Sequence, residues 1–502
     1  MLAPVRKAAR ILGIWAALWT LIACESKPEI AGEILAQVGD RVITTEDFQR
    51  RAEYTIRPDY CAGDNYIHKK IVLNSLIAEK LLALEAIESP LKTNSEFQAY
   101  IQGRREQAMR QWLQKTQGRD LVEIDSIALR EAVALSSRSY DVEYLVLPDS
   151  LAANGWQKAR EDGYSFRDIA RAVVDSDTIP SRSIAWFDRE HDSIWRSLFE
   201  QDQFVGSISG PLALDDGRFI VLRVTGWVDR KDISGQARAQ LWEDVHERLT
   251  QQKADQLYRS YVGHLMADKS LELNGPVFLK YADRIEEVYL KSPSEKKNLL
   301  NAAIWEVEEG LLNAQFDALP LTQGSDILFK INSEPWTINE FESHLLKHPL
   351  VFRKRKMSSQ EFPEQLKYAI ADLVRDHYLT QEAYKLNYDI VPNVRQYTQT
   401  FEDHYLSRQK RAEYLRSVVN ADIPESVPSD MHLIETYLNP YIDSLQERYS
   451  PEIQIHMGRF EKIQLSTVPM MVSNRNVPFP LAVPAFPILT TDNRIDYGKN
   501  MQ

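Results

Sequence analysis

The stretch Tyr140-Asp-Val-Glu-Tyr-Leu-Val-Leu147 decides the fold of the middle of this chain. It is rich in large apolar and β-branched residues and Pro148 ends it, so the sequence predicts a strand. A helical segment follows, and Gly217-Arg-Phe-Ile-Val-Leu-Arg-Val224 then predicts a closing strand. Strand, helices, the turn Gly206-Ser-Ile-Ser-Gly-Pro211 and closing strand together indicate one small α+β domain of roughly ninety residues.

The length and charge of the chain limit what the whole protein does. A chain of 502 residues is too long for a single hydrophobic core, so several domains are expected. The formal net charge of −12 argues against nucleic-acid partners, because proteins that bind nucleic acids need a basic surface. The sequence has no glycine-rich phosphate-binding loop, and we expect neither a cofactor nor a metal.

The first 24 residues have the layout of a secretory signal. Basic residues precede an apolar run, 11–23, that is too short to span a bilayer comfortably. The run ends in Leu21-Ile-Ala-Cys24, which resembles a bacterial lipobox and implies that Cys24 is lipidated and starts the mature chain. Glu25, rather than Asp, then implies an outer-membrane anchor that faces the periplasm. The alternative is an ordinary cleaved signal with a chance cysteine. With Cys24 lipidated, Cys61 is expected to be an unpaired, buried thiol.

A hairpin followed by helices comes after the signal. In Val38-Gly-Asp-Arg-Val-Ile-Thr-Thr-Glu-Asp-Phe48, Gly39-Asp40 is a hairpin turn signal, and Thr44 or Thr45 is placed to cap a helix. Further helices are predicted at about 67–87 and around 97–113. In the first of them, apolar residues recur at helical spacing and predict one buried face.

The hairpin pattern occurs a second time. The stretch Phe329-Lys-Ile-Asn-Ser-Glu-Pro-Trp-Thr-Ile-Asn-Glu-Phe341 matches the earlier one at a constant offset, so that Phe341 aligns with Phe48. This order of hairpin, cap, aromatic residue and helix predicts two related helical modules. Each has few residues to bury alone, so we expect the two modules to share a core.

The rest of the chain is divided by composition and by proline. Prolines exclude a regular helix from the tail, which is either loose or laid along a groove of its own protein. The predicted divisions are a signal peptide 1–23, a tether 24–33, a helical module 34–137, an α+β domain 138–230, a helical connector 231–324, a second helical module 325–420, a helix and short strand 421–466, and a Pro-rich tail 467–502.

Two family resemblances combine these parts. The domain 138–230 resembles a parvulin, a small α+β peptidyl-prolyl isomerase, and has Arg182-Ser-Ile-Ala-Trp-Phe187 where that family has Gly-Asp-Leu-Gly-Trp-Phe. Val38 to Phe48, followed by Leu76-Ile-Ala-Glu-Lys-Leu-Leu82, resembles the N-terminal region of SurA-like periplasmic chaperones, whose helical module carries a parvulin domain. The resemblances imply an α+β, mostly helical fold: SurA-like helical chaperone modules with a central, degenerate parvulin-like domain.

The parvulin resemblance also implies where a prolyl site lies. The two histidine positions of that family fall on Tyr144 and Phe219, and an acid is present at Asp175 or Asp177. A phenyl ring neither donates nor accepts an imidazole's hydrogen bond, so Phe219 predicts that the catalytic pair is lost. The remaining catalytic candidates are Tyr144, Asp175 and Asp177. The residues implied for an apolar substrate groove, unless they are core, are Tyr144, Trp186, Phe187, Phe199 and Phe219.

One pair of histidines has the spacing of zinc ligands on a helix. His344 and His348 are four residues apart, but no third ligand stands out and Pro349 follows directly. The pattern therefore indicates a solvated helix end rather than a metal site.

The expected function follows from the family resemblance and the lost histidines. Binding of extended, apolar chains needs only exposed apolar surface with polar edges, so it survives the loss of a catalytic pair. The sequence thus predicts a lipid-anchored, periplasm-facing holdase whose partners are unfolded envelope proteins and, through its anchor, the membrane. The alternatives are an active parvulin-type prolyl isomerase and a structural envelope lipoprotein that acts as a scaffold.

Overall fold

The computed structural model shows an α+β, mostly helical fold with small antiparallel sheets, as predicted. Helices make up 59% and strands 14% of the described residues. The predicted signal peptide, Cys24 and most of the tether lie outside the described residues. No helix among the described residues is both long and apolar enough to cross a membrane. The described residues are 32–87, 90–173, 178–214, 216–230, 234–290, 324–354, 357–418, 430–466, 483–497 and 500–501.

The elements of the described residues are as follows. The strands are β1 Ile34–Val38, β2 Arg41–Thr44, β3 Arg138–Leu147, β4 Ser181–Ala185, β5 Ile208–Ala213, β6 Phe219–Asp229, β7 Leu271–Leu273, β8 Ile327–Ile331, β9 Glu334–Thr337, β10 Ile453–Ile455 and β11 Asn500–Met501. The α-helices are α1 Thr45–Glu53, α2 Tyr66–Glu85, α3 Ser95–Gln117, α4 Ser126–Ser136, α5 Ser150–Glu161, α6 Phe166–Val173, α7 Asp192–Phe199, α8 Gly235–Met266, α9 Gly275–Tyr289, α10 Ile338–Leu345, α11 Phe362–Lys385, α12 Pro392–Val418, α13 Asp430–Leu433, α14 Asn439–Arg448 and α15 Met457–Phe460. A π-helical turn, Ile434–Leu438, joins α13 to α14.

The chain forms two compact units. The first contains residues 1–113 and 265–502, and the second contains residues 114–264. Helix α4, which the sequence placed in the first module 34–137, lies in the second unit, and so does most of α8, which the sequence placed in the connector 231–324. Both helices belong there because Ala132 of α4 and Val245 of α8 are buried in the core of the sheet of that unit.

The second unit is built on an antiparallel sheet with the strand order β4-β3-β6-β5. The predicted strands at 140–147 and 217–224 are confirmed as β3 and β6, which are neighbours in this sheet. On one face, α5 and α6 bury Trp156 and Phe166. On the other, α4, α7 and α8 contribute to a separate core that contains Trp186 and Trp195.

The two predicted hairpins of the first unit have the same pairing. Val38 pairs with Arg41 in β1–β2, and the aligned Ile331 pairs with Glu334 in β8–β9. Each hairpin also gains a short third strand in the same register: β10 places Ile453 opposite Val38, and β7 places Leu271 opposite Ile331. The sequence repeat is therefore a structural repeat. The third strand, however, follows the first hairpin in the chain, as β10, and precedes the second hairpin, as β7.

Each hairpin leads into a capped helix, as predicted. Thr44 accepts a hydrogen bond from the backbone of Asp47, whose side chain accepts one in return from Thr44, and Thr337 and Glu340 form the same capping box. Such reciprocal pairing satisfies backbone donors that the first helical turn leaves open. Each helix then buries the aligned aromatic residue, Phe48 or Phe341, completely.

Instead of the expected shared core, the two modules keep largely separate main cores and share only smaller clusters, which arise from an exchange of helices. Helix α12, which aligns with α3 in the repeat, packs along α2 of the first module. Helix α3 contacts the second module, where Arg110 donates to Thr380 at 2.8 Å. A Cβ at Gly103 would lie 2.1 Å from the carbonyl oxygen of Lys347, so α3 and the turn after α10 are in close contact.

Helix α2 is surrounded rather than buried on one face. Every residue from Ile71 to Ala83 is buried, including Asn74, Glu79 and Lys80. The prediction of a single apolar face was wrong, because these polar side chains find partners inside the protein. Lys80 pairs with Asp403 at 2.8 Å, and Glu79 forms a two-pronged pair with Arg51 at 2.7 and 2.9 Å. Burial alone raises the pKa of Glu79, but Arg51 and His404 outweigh it and lower that pKa.

The described part of the Pro-rich tail, 483–497, lies along a groove of its own protein, which was one of the two alternatives. It has no regular structure and inserts Phe486, Leu489 and Ile495 into the core of the first module. Its backbone is held by side chains: the Asn74 amide donates to the carbonyls of Asp492 and Arg494 at 2.8 and 2.6 Å. Residues 483–497 are thus an integral part of the core of the first unit.

Candidate peptide-binding site

Two of the predicted groove residues are core residues of the second unit. Trp186 is 1% exposed and Phe199 is 4% exposed. Their rings are 5.2 Å apart and nearly perpendicular, a favourable edge-to-face geometry. The prediction that they bind substrate is corrected, since the surrounding helices leave neither ring accessible. Phe187, next in the chain, is 44% exposed and reaches the surface.

The two positions aligned with the parvulin histidines do not meet. Tyr144 of β3 lies opposite Leu222, and Phe219 of β6 lies opposite Leu147. Because side chains alternate between the faces of a sheet, Tyr144 and Phe219 point to opposite faces. Accordingly, Tyr144 packs beside one core and Phe219 beside the other. A shared polar centre at these two positions is therefore absent, whatever residues occupy them.

A different polar group surrounds Tyr144. The guanidinium of Arg182 lies 5.4 Å from the centre of the Tyr144 ring and pairs with Glu190 at 2.7 Å. His191, the next residue, caps α7, and its Nδ1 lies 2.8 Å from the hydroxyl of Ser193. Tyr144 packs against the same core as the half-buried residues Val146, Leu212 and Leu214. The other two catalytic candidates, Asp175 and Asp177, lie outside the described residues.

The first unit has an open groove of about 370 Å³ that the sequence analysis did not predict. Phe97 and Ile101 of α3 line its floor but are only 5% and 8% exposed, so the ring of Tyr384 of α11, 38% exposed on one side, is its main accessible apolar surface. Such a combination of apolar floor and polar edge suits an extended peptide. The polar residues that line it are Lys92, Gln98, Gln102, Arg105 and Glu402.

The rim of the groove offers groups that suit a peptide backbone. Gln98 and Gln102 each carry an amide with both donor and acceptor capacity. Lys92 and Glu402 face each other at 3.1 Å, and Arg105 adds a second positive charge to the lining. The lining thus carries one excess positive charge beside amides that can hydrogen-bond a peptide backbone.

A buried carboxylate fixes one wall of the groove from below. Oε1 of Glu106 accepts hydrogen bonds from the Gln102 amide at 2.9 Å and from the Tyr384 hydroxyl at 3.2 Å. Burial alone raises the pKa of Glu106, but hydrogen bonds from His348 and Gln102 and the charge of Arg110 outweigh it and lower the pKa to about 2. Glu106 is therefore ionised at neutral pH. Burial, and after it the charge of Glu106, raises the pKa of Tyr384 to about 12, so the Tyr384 hydroxyl remains a donor.

The two histidines expected at a solvated helix end are half-buried instead. His344 lies against Trp336, with ring centres 4.5 Å apart, and His348 Nε2 lies 2.6 Å from Glu106 Oε2. His377 of α11 completes the cluster, 5.5 Å from His344 between ring centres. The prediction of a solvated end was wrong, because α3 of the other module covers this turn. No group of three or more metal-ligating side chains is placed to bind a metal among the residues that the structure describes.

Sequence reasoning missed the groove because its walls come from distant segments. Lys92 to Arg105 precede the second unit, whereas Tyr384 and Glu402 lie in the second module. The repeat held one usable signal: at the offset of 297 that aligns Leu82 with Leu379 in the long helices, the acid Glu106 of α3 aligns with the acid Asp403 of α12. Both are buried where an exchanged helix meets the other module.

Comparison with known proteins identifies no family, since no protein-family model, no curated protein and no solved structure matches the chain.

Proposed function

We propose that this protein is a holdase that binds extended, apolar stretches of unfolded envelope proteins. The groove of the first unit carries this proposal. The exposed ring of Tyr384 offers an apolar surface above the largely buried Phe97 and Ile101, and the amide rim can hydrogen-bond a peptide backbone. The resemblance of the flanking modules to SurA-like chaperones supports the same function.

The proposed location rests on the N-terminal sequence. A lipid on Cys24 would hold the chain at the outer membrane, on the periplasmic side, where unfolded envelope proteins pass. Several acyl chains of about 0.8 kcal/mol per buried methylene hold a protein stably at a membrane. Fractionation of cells that express Cys24→Ala tests the anchor. The variant is expected in the soluble fraction, and membrane partition equal to that of the wild type would contradict lipidation at Cys24.

The groove is tested by truncating its most exposed ring. Tyr384→Ala removes one wall, and we expect the Kd for an unfolded porin segment to rise about tenfold, because truncation of a central interface aromatic commonly costs more than 1 kcal/mol. Fluorescence anisotropy with a labelled segment measures the Kd. Suppression of porin aggregation should weaken in parallel.

A matched control lies on the same helix. Tyr368 of α11 is also 38% exposed, and its hydroxyl likewise donates to a glutamate, Glu364, at 3.2 Å, but it does not line the groove. Tyr368→Ala should therefore bind as the wild type does. Equal losses in the two variants would place the binding site elsewhere. If the wild type neither binds the segment nor suppresses aggregation, a structural scaffold becomes the better function.

A second candidate function, prolyl isomerisation, is favoured by the polar group around Tyr144. The guanidinium of Arg182, paired with Glu190, lies over the ring of Tyr144, which packs against an apolar core, as a site that polarises and desolvates a prolyl bond requires. Uncatalysed isomerisation takes tens of seconds, so modest catalysis is measurable. A protease-coupled assay on a proline peptide tests it. Rate enhancement that is lost in Tyr144→Phe and Arg182→Ala would establish this activity, and the uncatalysed rate would exclude it.

A further inference from the structure

The third strands β10 and β7 extend the structural repeat beyond the two hairpins. The helix after β10 buries Phe460, and the helix after β7 buries Phe278 at the same sequence distance from its strand. In the first module, Nζ of Lys69 in α2 lies 5.5 Å from the centre of the Phe460 ring. In the second, Nζ of Lys367 in α11 lies 5.9 Å from the centre of the Phe278 ring. The two strands therefore occupy equivalent places in their modules.

The hydrogen bonds of β10 and β7 are equivalent as well. The residue directly after β10 donates its backbone N–H to the carbonyl of Leu35 at 2.9 Å, and the residue directly after β7 donates to Leu328 at 3.0 Å. In an antiparallel pair, alternate residues direct their N–H and C=O groups to the partner strand, and the residues between them direct theirs to the other side. Leu271 and Leu273 of β7 therefore direct these groups away from β8.

The outer side of β10 is occupied in the first module. Strand β11 of the tail pairs with it in parallel, with Met501 opposite Ile455. Earlier tail residues accept two hydrogen bonds from Asn74 of α2, which is fully buried. Strand β10 has only three residues, so a strand as short as this one is long enough to pair with an extended segment.

The outer side of β7 is open among the residues that the structure describes. The sheet of the second module ends there, in the order β7-β8-β9. Its opposite edge, β9, contains Pro335, which lacks an N–H and so discourages the addition of another strand. Strand β7, Leu271–Leu273, has no proline and is equal in length to β10. An unpaired edge of this kind is a template for an extended chain.

The long helices differ at the position that holds the tail. Ala371 of α11 aligns with Asn74 of α2, and it is exposed where Asn74 is buried. A methyl group makes no hydrogen bond, so the second module lacks the amide that holds the tail backbone in the first. The tail of a second copy is therefore a poorer occupant of this place than a chain that is recognised by its backbone alone.

We propose that the outer edge of β7 binds an extended apolar segment of the client as an additional parallel strand, as β10 binds β11. This inference rests on the proposed holdase function and gives the client a second place of contact. The backbone groups of Leu271 and Leu273 hold the backbone of the client. In strand addition, main-chain hydrogen bonds provide the affinity and side chains the specificity. Recognition at β7 therefore suits clients that share an extended conformation rather than a sequence.

The first test removes one outward N–H of β7. The Kd of the labelled porin segment is measured by fluorescence anisotropy in a Tyr384→Ala background, so that the groove contributes less. Leu273→Pro removes the N–H, whereas the matched control Leu273→Ala shortens the same side chain and keeps it. The Kd of Leu273→Pro should be about tenfold above that of Leu273→Ala, as the loss of one or two backbone hydrogen bonds implies. Urea unfolding verifies that both variants are folded.

The second test leaves the protein unchanged, so it holds even if Leu273→Pro does not fold. Two versions of the porin segment carry N-methyl groups at every second residue, in one register or in the other. A strand added to an edge directs only alternate N–H groups to its partner. One register should therefore raise the Kd about tenfold, and the other should raise it less than about threefold.

The outcomes separate this inference from the proposed function. Equal Kd values for folded Leu273→Pro and Leu273→Ala, or equal effects of the two N-methyl registers, would show that β7 pairs with no client strand, and would leave the holdase and its groove. A dimer in analytical ultracentrifugation that dissociates in Leu273→Pro would assign the edge to a second copy and likewise overturn the inference. Absence of any binding of the unmodified segment to the wild type would overturn the proposed function itself.

Discussion

The buried pair Lys80–Asp403 gives the sharpest test of the helix exchange. It joins α2 of the first module to α12, which continues the second. Asp403 is fully buried, accepts from Lys80 at 2.8 Å and from Gln399 at 3.0 Å, and pairs with Arg41 at 3.1 Å. Both cations are buried as well, with only 5–6% of their side chains exposed.

Asp403→Ala leaves two buried cations without their shared acid. Removal of one partner of a buried pair costs about 3–5 kcal/mol, because the remaining charge has neither water nor a counter-ion. That loss is a large fraction of a typical total stability of about 5–15 kcal/mol. Arg41 retains the exposed Asp40 at 3.4 Å, so the lower end of this range is the better expectation.

Urea unfolding followed by circular dichroism measures the free energy of unfolding, from a shift of the midpoint at constant slope. Glu413→Ala is the matched control, because Glu413 lies on the same helix and pairs with Lys410 at 3.2 Å in an exposed position. An exposed pair of this kind contributes less than about 1 kcal/mol.

The double variant Lys80→Met with Asp403→Leu tests the physical reason. It removes both charges of the pair, and buried ion pairs replaced by apolar residues of similar size are often neutral in stability. We expect it to recover about half or more of the loss. If Asp403→Ala shifts the midpoint no more than Glu413→Ala does, α12 is not packed against α2 as described.

The remaining predictions concern two other contacts of the first unit. Gly103→Ala should lower the unfolding midpoint clearly, because a methyl group there meets the Lys347 backbone. The control Gly155→Ala in α5, with nothing within 4 Å of the added methyl group, should be neutral or stabilising by about 0.5–1 kcal/mol. Equal effects of the two substitutions would contradict the close approach of α3 to Lys347. Asn74→Ala removes the amide that holds residues 492–494 and should lower the free energy of unfolding by about 1–3 kcal/mol. Proteolytic cleavage near Asp492 should become faster, and an unchanged cleavage rate would mean that this segment is held by other contacts.

The local elements were predictable from the sequence because their causes are local. The turn at Gly39-Asp40 and the cap at Thr44 depend on residues within a few positions of one another, and both are present. The strands β3 and β6 were likewise marked by their β-branched and apolar composition. The repeat was revealed by the common order of hairpin, cap, aromatic residue and helix, in which Phe341 aligns with Phe48.

The candidate site was not predictable, because it depends on which helix meets which. Alternation along β6 sends Phe219 away from Tyr144, and only the register of β3 against β6 shows this. Whether Trp186 is core or surface depended on the helices that cover it. The groove required Tyr384 to arrive beside Phe97, nearly three hundred residues away in sequence.

The sequence by itself determined an α+β, mostly helical protein with a central small sheet domain and a repeated hairpin-and-helix module, because periodicity, caps and turns act over a few residues. Only the tertiary structure decided that the modules exchange their third helices, that buried Lys80 finds Asp403, and that Glu106 links a histidine cluster to a groove. Such pairings follow from long-range packing, in which a buried charge is tolerated only where a distant segment supplies its partner.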